Sequence, residues 1–405
     1  MDAVAQGLAV IVGAGIYVGI GVAAGVAGPA IVLSILLAAV VASLTAAASA
    51  RLGALYPLAG GTYEYASRLL SPMWGFIAGW TWLGKAAVLL GAVALSFGAY
   101  LQALVPVLPS RWVGVTVVLA VTGVNLLGTR LAGWVVDGLV IIKLAALLLF
   151  IGVGATAIRG EHFAPFAPTG LGGVLEGAAL IFFAYVGFEQ PSKLGEEIRE
   201  PERTIPQATF LALGLSTALY GAVAMVAVGL IGAAGLAGSP APLWLAVQAT
   251  GVPWASAVTA GGALVATLSV LMGEEWAVSR MLFAMGRRAQ LPRWLVDVNC
   301  RTGTPSKAVL IVGGVGALLT AFVDVRSLLE FASFVILCHY ALTNTCAMRL
   351  APARRCYPVG IALVGLLSSV GLALTRSPPA IVGGLVFLSV GAVYALLLGG
   401  TREIV

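Results

Sequence analysis

Apolar runs about as long as a bilayer is thick recur along almost the whole chain, and no other feature constrains the fold as much. A helix of about 20 apolar residues spans the hydrocarbon core. The 405 residues divide into about twelve such runs, near 4–27, 30–49, 74–105, 112–127, 133–156, 174–193, 206–233, 254–284, 306–323, 327–348, 358–375 and 380–399. Hydrophobic residues make up 60% and charged residues 9%, and mean hydropathy is +1.05. The short Pro, Gly and charged connections leave little for a soluble domain. The expected fold class is an all-α polytopic membrane protein, with the lipid bilayer as its first partner.

Charge orients the runs. With a cytoplasmic N-terminus, sixteen of the 22 basic residues fall in the even-numbered connections and the C-terminus, among them Arg51, Arg68, Arg130, Lys193, Arg199, Arg280, Arg288, Arg354, Arg355 and Arg402. Four, Arg111, Arg159, Arg326 and Arg376, fall on the opposite side, and two lysines stay in the membrane. This asymmetry places both termini in the cytoplasm and explains the net charge of +6 without a nucleic-acid partner. Cys300, Cys338, Cys346 and Cys356 show no CxxC spacing, so neither a disulfide framework nor a zinc site is expected. The first apolar segment has no basic region before it and is long enough to span, so it reads as a span and not as a cleaved leader.

Two of the runs are interrupted. "VGAGIYVGIG" sets Gly13, Gly15, Gly19 and Gly21 into the first, although each glycine in a helix costs roughly 0.8–1 kcal/mol relative to alanine. In the sixth, Gly187 is followed by Glu189, Gln190 and Pro191 at membrane depth. Non-helical backbone survives there only where it lines a cavity or is buried in protein. Breaks five spans apart point to an inverted-repeat carrier with its site at the repeat interface. Gly19, Gly21, Gly25 and Gly28 suit close helix packing equally well. A dinucleotide loop is excluded, because Gly13, Gly15 and Gly19 give GxGxxxG with no preceding strand.

Four stretches, in order, carry a resemblance. "VGAGIYVGIGVAAGVAGPAIVLS" looks like a GxGIF-type break followed by an AGP turn, and "PLAGGTYEYA" like the loop after span two. "FFAYVGFEQPSKLGEEIREPERTIPQA" looks like an unwound sixth span with an acidic tail, and "SRMLFAMGRRAQLPRWLVDVNCRTGTPSKA" like an eighth span and the loop after it. Over nearly its whole length the chain resembles the amino acid–polyamine–organocation (APC) transporters. The resemblance implies a LeuT-like 5+5 inverted repeat with discontinuous spans 1 and 6: a first repeat over 1–156, a second over 174–348 and two peripheral helices over 358–405. It also implies transport of an amino acid or related amine across the plasma membrane by alternating access.

In such a site the helix N-terminus at Gly13, Ala14, Gly15 and Ile16 would hold a substrate carboxylate. Free carbonyls at Phe183, Ala184 and Val186, next to Gly187, would hold its ammonium. Tyr185 and Phe182 would bound the pocket. Arg51 stands where the family often carries glutamate, which bears on contacts of that loop.

Charge inside the membrane marks further positions. Lys143 lies about nine residues beyond Trp134, roughly 13 Å along a helix and too deep to snorkel. It resembles the fifth-span lysine of sodium-independent, proton-coupled members, whose ammonium stands in for a sodium ion. Reversible protonation there would make the proton the coupling partner; a permanently charged lysine bridging spans one, five and eight is the alternative. Lys85 is also deep, and Glu274 and Glu275 sit where relatives usually carry small or aliphatic residues. Unpaired buried ions are costly, so one of these glutamates is expected to pair with Lys143 or Lys85, with Glu189 as a further partner. The alternative use of Glu274 or Glu275 is to bind a cationic substrate side chain.

His339 reads as a hydrogen-bonded interior residue and His162 as a loop residue without a metal site. Thr204 and Gln207 have capping-box spacing at the start of span seven, and "GRRAQLPRWLVDVNC" reads as an interfacial anchor. No nucleophile–base pair or metal-ligand cluster appears at recognisable spacing, so neither catalysis nor a cofactor is expected. Neutral amino acids are the first expectation for the substrate, with a channel or sensor as the remote alternative.

Overall fold

The computed structural model describes residues 3–57, 60–128, 133–193, 198, 200–352 and 357–397. No strand occurs among them. Seven helical runs are long and apolar enough to cross a membrane by length and composition: Gly15–Leu55, Pro72–Leu104, Gly138–Ala157, Pro201–Ala237, Pro253–Arg287, Val325–Met348 and Pro378–Leu397. Four shorter apolar helices, Ser110–Leu126, Gly170–Tyr185, Ser306–Phe322 and Val359–Leu374, lie between them. The first of the seven passes through a 3₁₀ turn at Gly28–Ala30, where Pro29 resets the helix. Each run expected from the sequence therefore has a helical counterpart.

The first run is two helices, α1 (Ala3–Ile11) and α2 (Ala14–Ala27), followed by α3 (Ile31–Leu55). A short helix α4 (Thr62–Leu69) precedes α5 (Pro72–Leu104), whose start is capped by the Ser71 side chain accepting from the Trp74 amide. Then come α6 (Ser110–Leu126), α7 (Gly133–Gly154), α8 (Gly170–Ile181) and a four-residue helix α9 (Gln190–Lys193). The remainder comprises α10 (Pro201–Ala237), α11 (Pro242–Gln248), α12 (Pro253–Arg287), α13 (Ser306–Phe322), α14 (Val325–Met348), α15 (Val359–Leu374) and α16 (Pro378–Leu397). Neither α4 nor α11 was expected, because eight and seven residues are too few for periodicity to register.

The capping-box reading of Thr204 is corrected. Helix α10 starts at Pro201, whose ring presets φ for a first helical position, so Thr204 and Pro206 are already inside it. The Nδ1 of His162 lies 2.8 Å from the Gly229 carbonyl, which ties the loop before α8 to α10. His339 is buried, as expected, and its Nδ1 lies 2.9 Å from Thr81 Oγ1. Cys300, Cys338 and Cys346 are free thiols. Arg130, Glu196, Glu197, Arg199, Arg354, Arg355, Cys356 and Arg402 lie outside the described residues.

Of the two C-terminal helices, α15 packs on α14 and α3, and α16 packs on α5 and α14. On α5, Trp80 donates to the Phe387 carbonyl at 2.9 Å and stacks on the Phe387 ring at 5.1 Å. The far face of α16 exposes Val382, Leu385, Val386, Val390 and Val393, as a lipid-facing helix does. At the centre the polarity reverses: Lys85, Lys143, Glu189 and Glu275 are buried together with Tyr17, Tyr100, Tyr185, Tyr220 and Tyr340.

Candidate functional site

The centre is built from two interrupted helices that touch. Helix α1 ends as the Val12 amide bonds to Leu8 O at 3.0 Å and the Gly13 amide folds back on Ile11 O at 2.7 Å. Gly13 is extended (φ −116°, ψ −151°), and α2 restarts at Ala14 with no side-chain cap. The first amides of a helix have no acceptor within it. Gly13 has used its own, so those of Ala14, Gly15 and Ile16 point out of the start of α2.

The second interruption is longer. After Ile181 the chain tightens into a 3₁₀ turn, Phe182–Tyr185, and passes through Gly187 at φ 115° before α9 begins. Gly187 is required twice: its φ is one that side chains rarely adopt, and an added Cβ would stand 2.4 Å from Val10 Cγ1. Gly15 is required by contact alone, because a Cβ there would stand 2.5 Å from Ala184 Cα. The two breaks therefore meet backbone to backbone.

The expectation of free carbonyls at Phe183 and Ala184 is corrected. Phe183 O accepts from the Val186 amide at 3.3 Å. Ala184 O accepts from the Tyr220 hydroxyl of α10 at 3.0 Å, and that hydroxyl also reaches Ile11 O at 2.6 Å. A phenol carries one proton, so Tyr220 serves the two breaks alternately. Tyr185 donates to Ile35 O at 3.2 Å and its ring lies 5.5 Å from that of Tyr220, while Phe182 packs edge-on against Tyr340 at 5.7 Å. Tyr220 and Tyr340 were missed from sequence. The available signal was a buried tyrosine's need for a hydrogen-bond partner, which marks a position without naming the partner.

Glu189 is a cap within the second break. Its Oε2 accepts from the Gly187 amide at 3.1 Å and from the Tyr340 hydroxyl at 2.8 Å. Lys143 is buried in α7, and its carbonyl receives the Tyr17 hydroxyl of α2 at 3.2 Å. Tyr17 O in turn accepts from Tyr100 of α5 at 2.9 Å. On the other side of Tyr17, its hydroxyl would stand 3.3 Å from a Cβ at Gly262, so α2, α7 and α12 close on one another there.

The neighbouring glutamates of α12 part company. Glu274 Oε1 lies 3.6 Å from Lys85 Nζ, and its Oε2 is buried without a hydrogen-bond partner. Lys85 Nζ also sits 5.6 Å from the Trp82 ring. Glu275 turns away toward Thr122 and Asn125 of α6 and is buried, with neither oxygen in a hydrogen bond of ordinary geometry. About 100° separates successive residues of a helix, which is why only one of the two can meet Lys85.

Charged networks cross the helices at each end. At one, Glu64 of α4 pairs with Arg288 after α12 and lies 3.7 Å from Arg68, and Tyr63 donates to Gln290 at 2.6 Å. At the other, Arg326 binds Glu330 at 2.9 Å and reaches Glu176 of α8 at 3.9 Å, and Ser377 donates to Glu330. Arg376 joins them by donating to Glu176 O at 2.7 Å. Burial pushes its guanidinium down to about 10 against the opposing pull of Glu176 and Glu330. Among the described residues no cluster of His, Cys, Asp and Glu is arranged to hold a metal ion.

A family model described as amino acid permease matches residues 3–402. An uncharacterised transporter of Mycobacterium tuberculosis is 38% identical over 96% of this chain and 88% of its own. A branched-chain amino acid permease of Lactococcus lactis is 32% identical over 82% and 77%. A vacuolar cationic amino acid transporter of Arabidopsis thaliana is 29% identical over 86% and 62%. All are carriers of solutes by name, and none is an enzyme.

Proposed function

We propose that this chain, which belongs to the amino acid permease family, is a secondary active transporter of neutral amino acids working by alternating access. One observation carries the reading: two helices are interrupted where they meet, one presenting amides at Ala14–Ile16 and the other a tight turn, Phe183 to Gly187, whose carbonyls each accept one hydrogen bond or none and keep a second lone pair. Unpaired amides at a helix start attract a carboxylate, and a turn of carbonyls attracts an ammonium. A zwitterion needs both.

The repeats would run over 1–156 and 174–348 in inverted relation, with 358–405 peripheral and both termini cytoplasmic in the plasma membrane. Gly15 lies directly on Ala184, so a bound amino acid must part the two breaks, and loading is thereby tied to helix movement. The end networks fit that motion, since one joins α4 to α12 and the other joins α8 to α14. Lys143 is the coupling residue in this reading, its ammonium replacing sodium and its proton being the co-transported ion.

The neutral class is supported by the pairing of Glu274 with Lys85, which occupies the carboxylate a cationic side chain would seek, and by relatives named branched-chain amino acid permeases. Uptake of labelled isoleucine into liposomes holding the purified protein tests it. The expected result is saturable uptake, exchange against internal isoleucine and acceleration by an inward proton gradient. In Lys143→Gln, acceleration by the gradient is lost. Non-saturating flux would make the protein a channel, and preference for arginine would make it a cationic carrier.

A further inference from the structure

Lys85 and Glu274 come from different helices, α5 and α12, and meet one turn along α12 from Val270, whose Cγ2 would stand 2.8 Å from a Cβ at Gly13 in the first break. Lys85 is 1% exposed and its ammonium stands 3.6 Å from only one of the Glu274 oxygens. The other oxygen is buried with no hydrogen-bond partner. Glu274 also lies within electrostatic reach of the Tyr340 hydroxyl. That hydroxyl donates to Glu189, and Glu189 in turn accepts from the Gly187 amide. Tyr340 therefore bonds one carboxylate and feels the charge of a second, and Lys85 is the cation that the structure sets against Glu274.

The arrangement is lopsided. A pair kept for stability alone gains most when both carboxylate oxygens are engaged and the approach is close, since a buried ion repays its desolvation only with good geometry. Here half of Glu274 is unengaged, and the ammonium approaches it from the side of α5. A lysine ammonium is a compact point charge on a flexible stem, chemically the same group as the end of a cationic substrate side chain.

We infer that Lys85 is an internal substitute for a cationic substrate side chain and sets the charge selectivity of the site: while it neutralises Glu274, the site accepts neutral amino acids and rejects cationic ones. The inference rests on the reading of the chain as an amino acid carrier and adds to it the residue that chooses among amino acids. Lys85 is a specificity-determining residue that acts through Glu274; it is not a ligand of the transported molecule.

Without Lys85, Glu274 presents an uncompensated negative charge next to the break, and a cationic side chain gains from it while a neutral one does not. Without the charge of Glu274, Lys85 is left as the uncompensated group, and the preference turns toward acidic side chains. Removing both charges restores neutrality.

The test is competition for labelled isoleucine uptake in liposomes by unlabelled arginine, glutamate and leucine. In Lys85→Met the concentration of arginine that halves uptake is expected to fall about tenfold or more relative to that of leucine. In Glu274→Gln the corresponding fall is expected for glutamate. Lys85→Arg and the double variant Lys85→Met/Glu274→Gln are expected to keep the wild-type order. The double variant removes the pair without leaving a lone charge, so it separates selectivity from folding. Wild-type uptake with an unaltered order of competitors in both single variants overturns the inference and leaves the carrier reading standing. Absence of saturable uptake by the wild type overturns the carrier reading itself. If the single variants do not accumulate, binding is read from the double variant carrying Glu274→Asp in place of Gln, where arginine must again compete more strongly than in wild type.

Discussion

The two interruptions at the centre solve one problem in opposite ways. Between α1 and α2 the chain breaks over two residues, Val12 and Gly13, and the exposed amides of α2 receive no side-chain cap. Between α8 and α9 the break is longer and richly capped: Tyr220 takes Ala184 O, Glu189 takes the Gly187 amide and Tyr340 holds Glu189. An uncapped group in an apolar setting costs about 1–3 kcal/mol, so the first break holds reactive potential and the second holds its shape. Donors left open beside a braced turn make a site that one end of a solute can enter while the other is positioned.

The largest effect should come from closing the meeting point of the two breaks. Gly15→Val puts a branched side chain where even a Cβ would stand 2.5 Å from Ala184 Cα, and uptake is expected to fall by about a hundredfold or more, with the protein still present in the membrane; Gly15→Ala should fall between this and wild type. A residual rate near wild type would separate the Gly15 contact from transport. Such a loss corresponds to about 2.7 kcal/mol at the rate-determining state.

A smaller effect is expected from the brace. Tyr220→Phe keeps the ring and removes the hydroxyl that serves Ile11 O and Ala184 O. Thermal unfolding of the purified protein should show a loss of about 1–3 kcal/mol, and the apparent affinity for isoleucine should weaken along with it. If stability falls while affinity holds, the hydroxyl braces the helices without shaping the site.

The smallest effect calibrates the others. Arg159 and Glu161 lie 3.9 Å apart with side chains 66% and 73% exposed. Arg159→Ala is expected to change stability by less than about 0.5 kcal/mol and to leave uptake unaltered. A larger change would show that the loop before α8 participates in the motion of that helix.

Legibility in the sequence followed the range of the forces involved. The breaks at Gly13–Gly15 and at Gly187 were visible because glycine and buried polar residues in an apolar run are local anomalies, whereas Gln190 and Pro191, read as part of the second break, begin helix α9. The boundaries of the long helices were readable to within a few residues for the same reason. Helix α4 was not, being too short to carry a period, and the start of α10 was misplaced because Pro201 outranks Thr204 as an initiator. The carbonyl of Ala184 was expected to be open because the family resemblance implies an unwound sixth span; its cap, Tyr220, is supplied by α10.

The sequence by itself determined that this chain is helical and apolar enough to cross a membrane repeatedly, where two of its helices fail, and which ionisable groups lie deep. These follow from solvation and backbone geometry, which act residue by residue. Tertiary structure alone decided that Gly15 rests on Ala184, that Tyr220 bridges both breaks, and that Lys85 meets Glu274 while Glu275 turns to α6. Those pairings join residues far apart in the chain, and helix rotation and packing distance, which no single helix specifies, select among them.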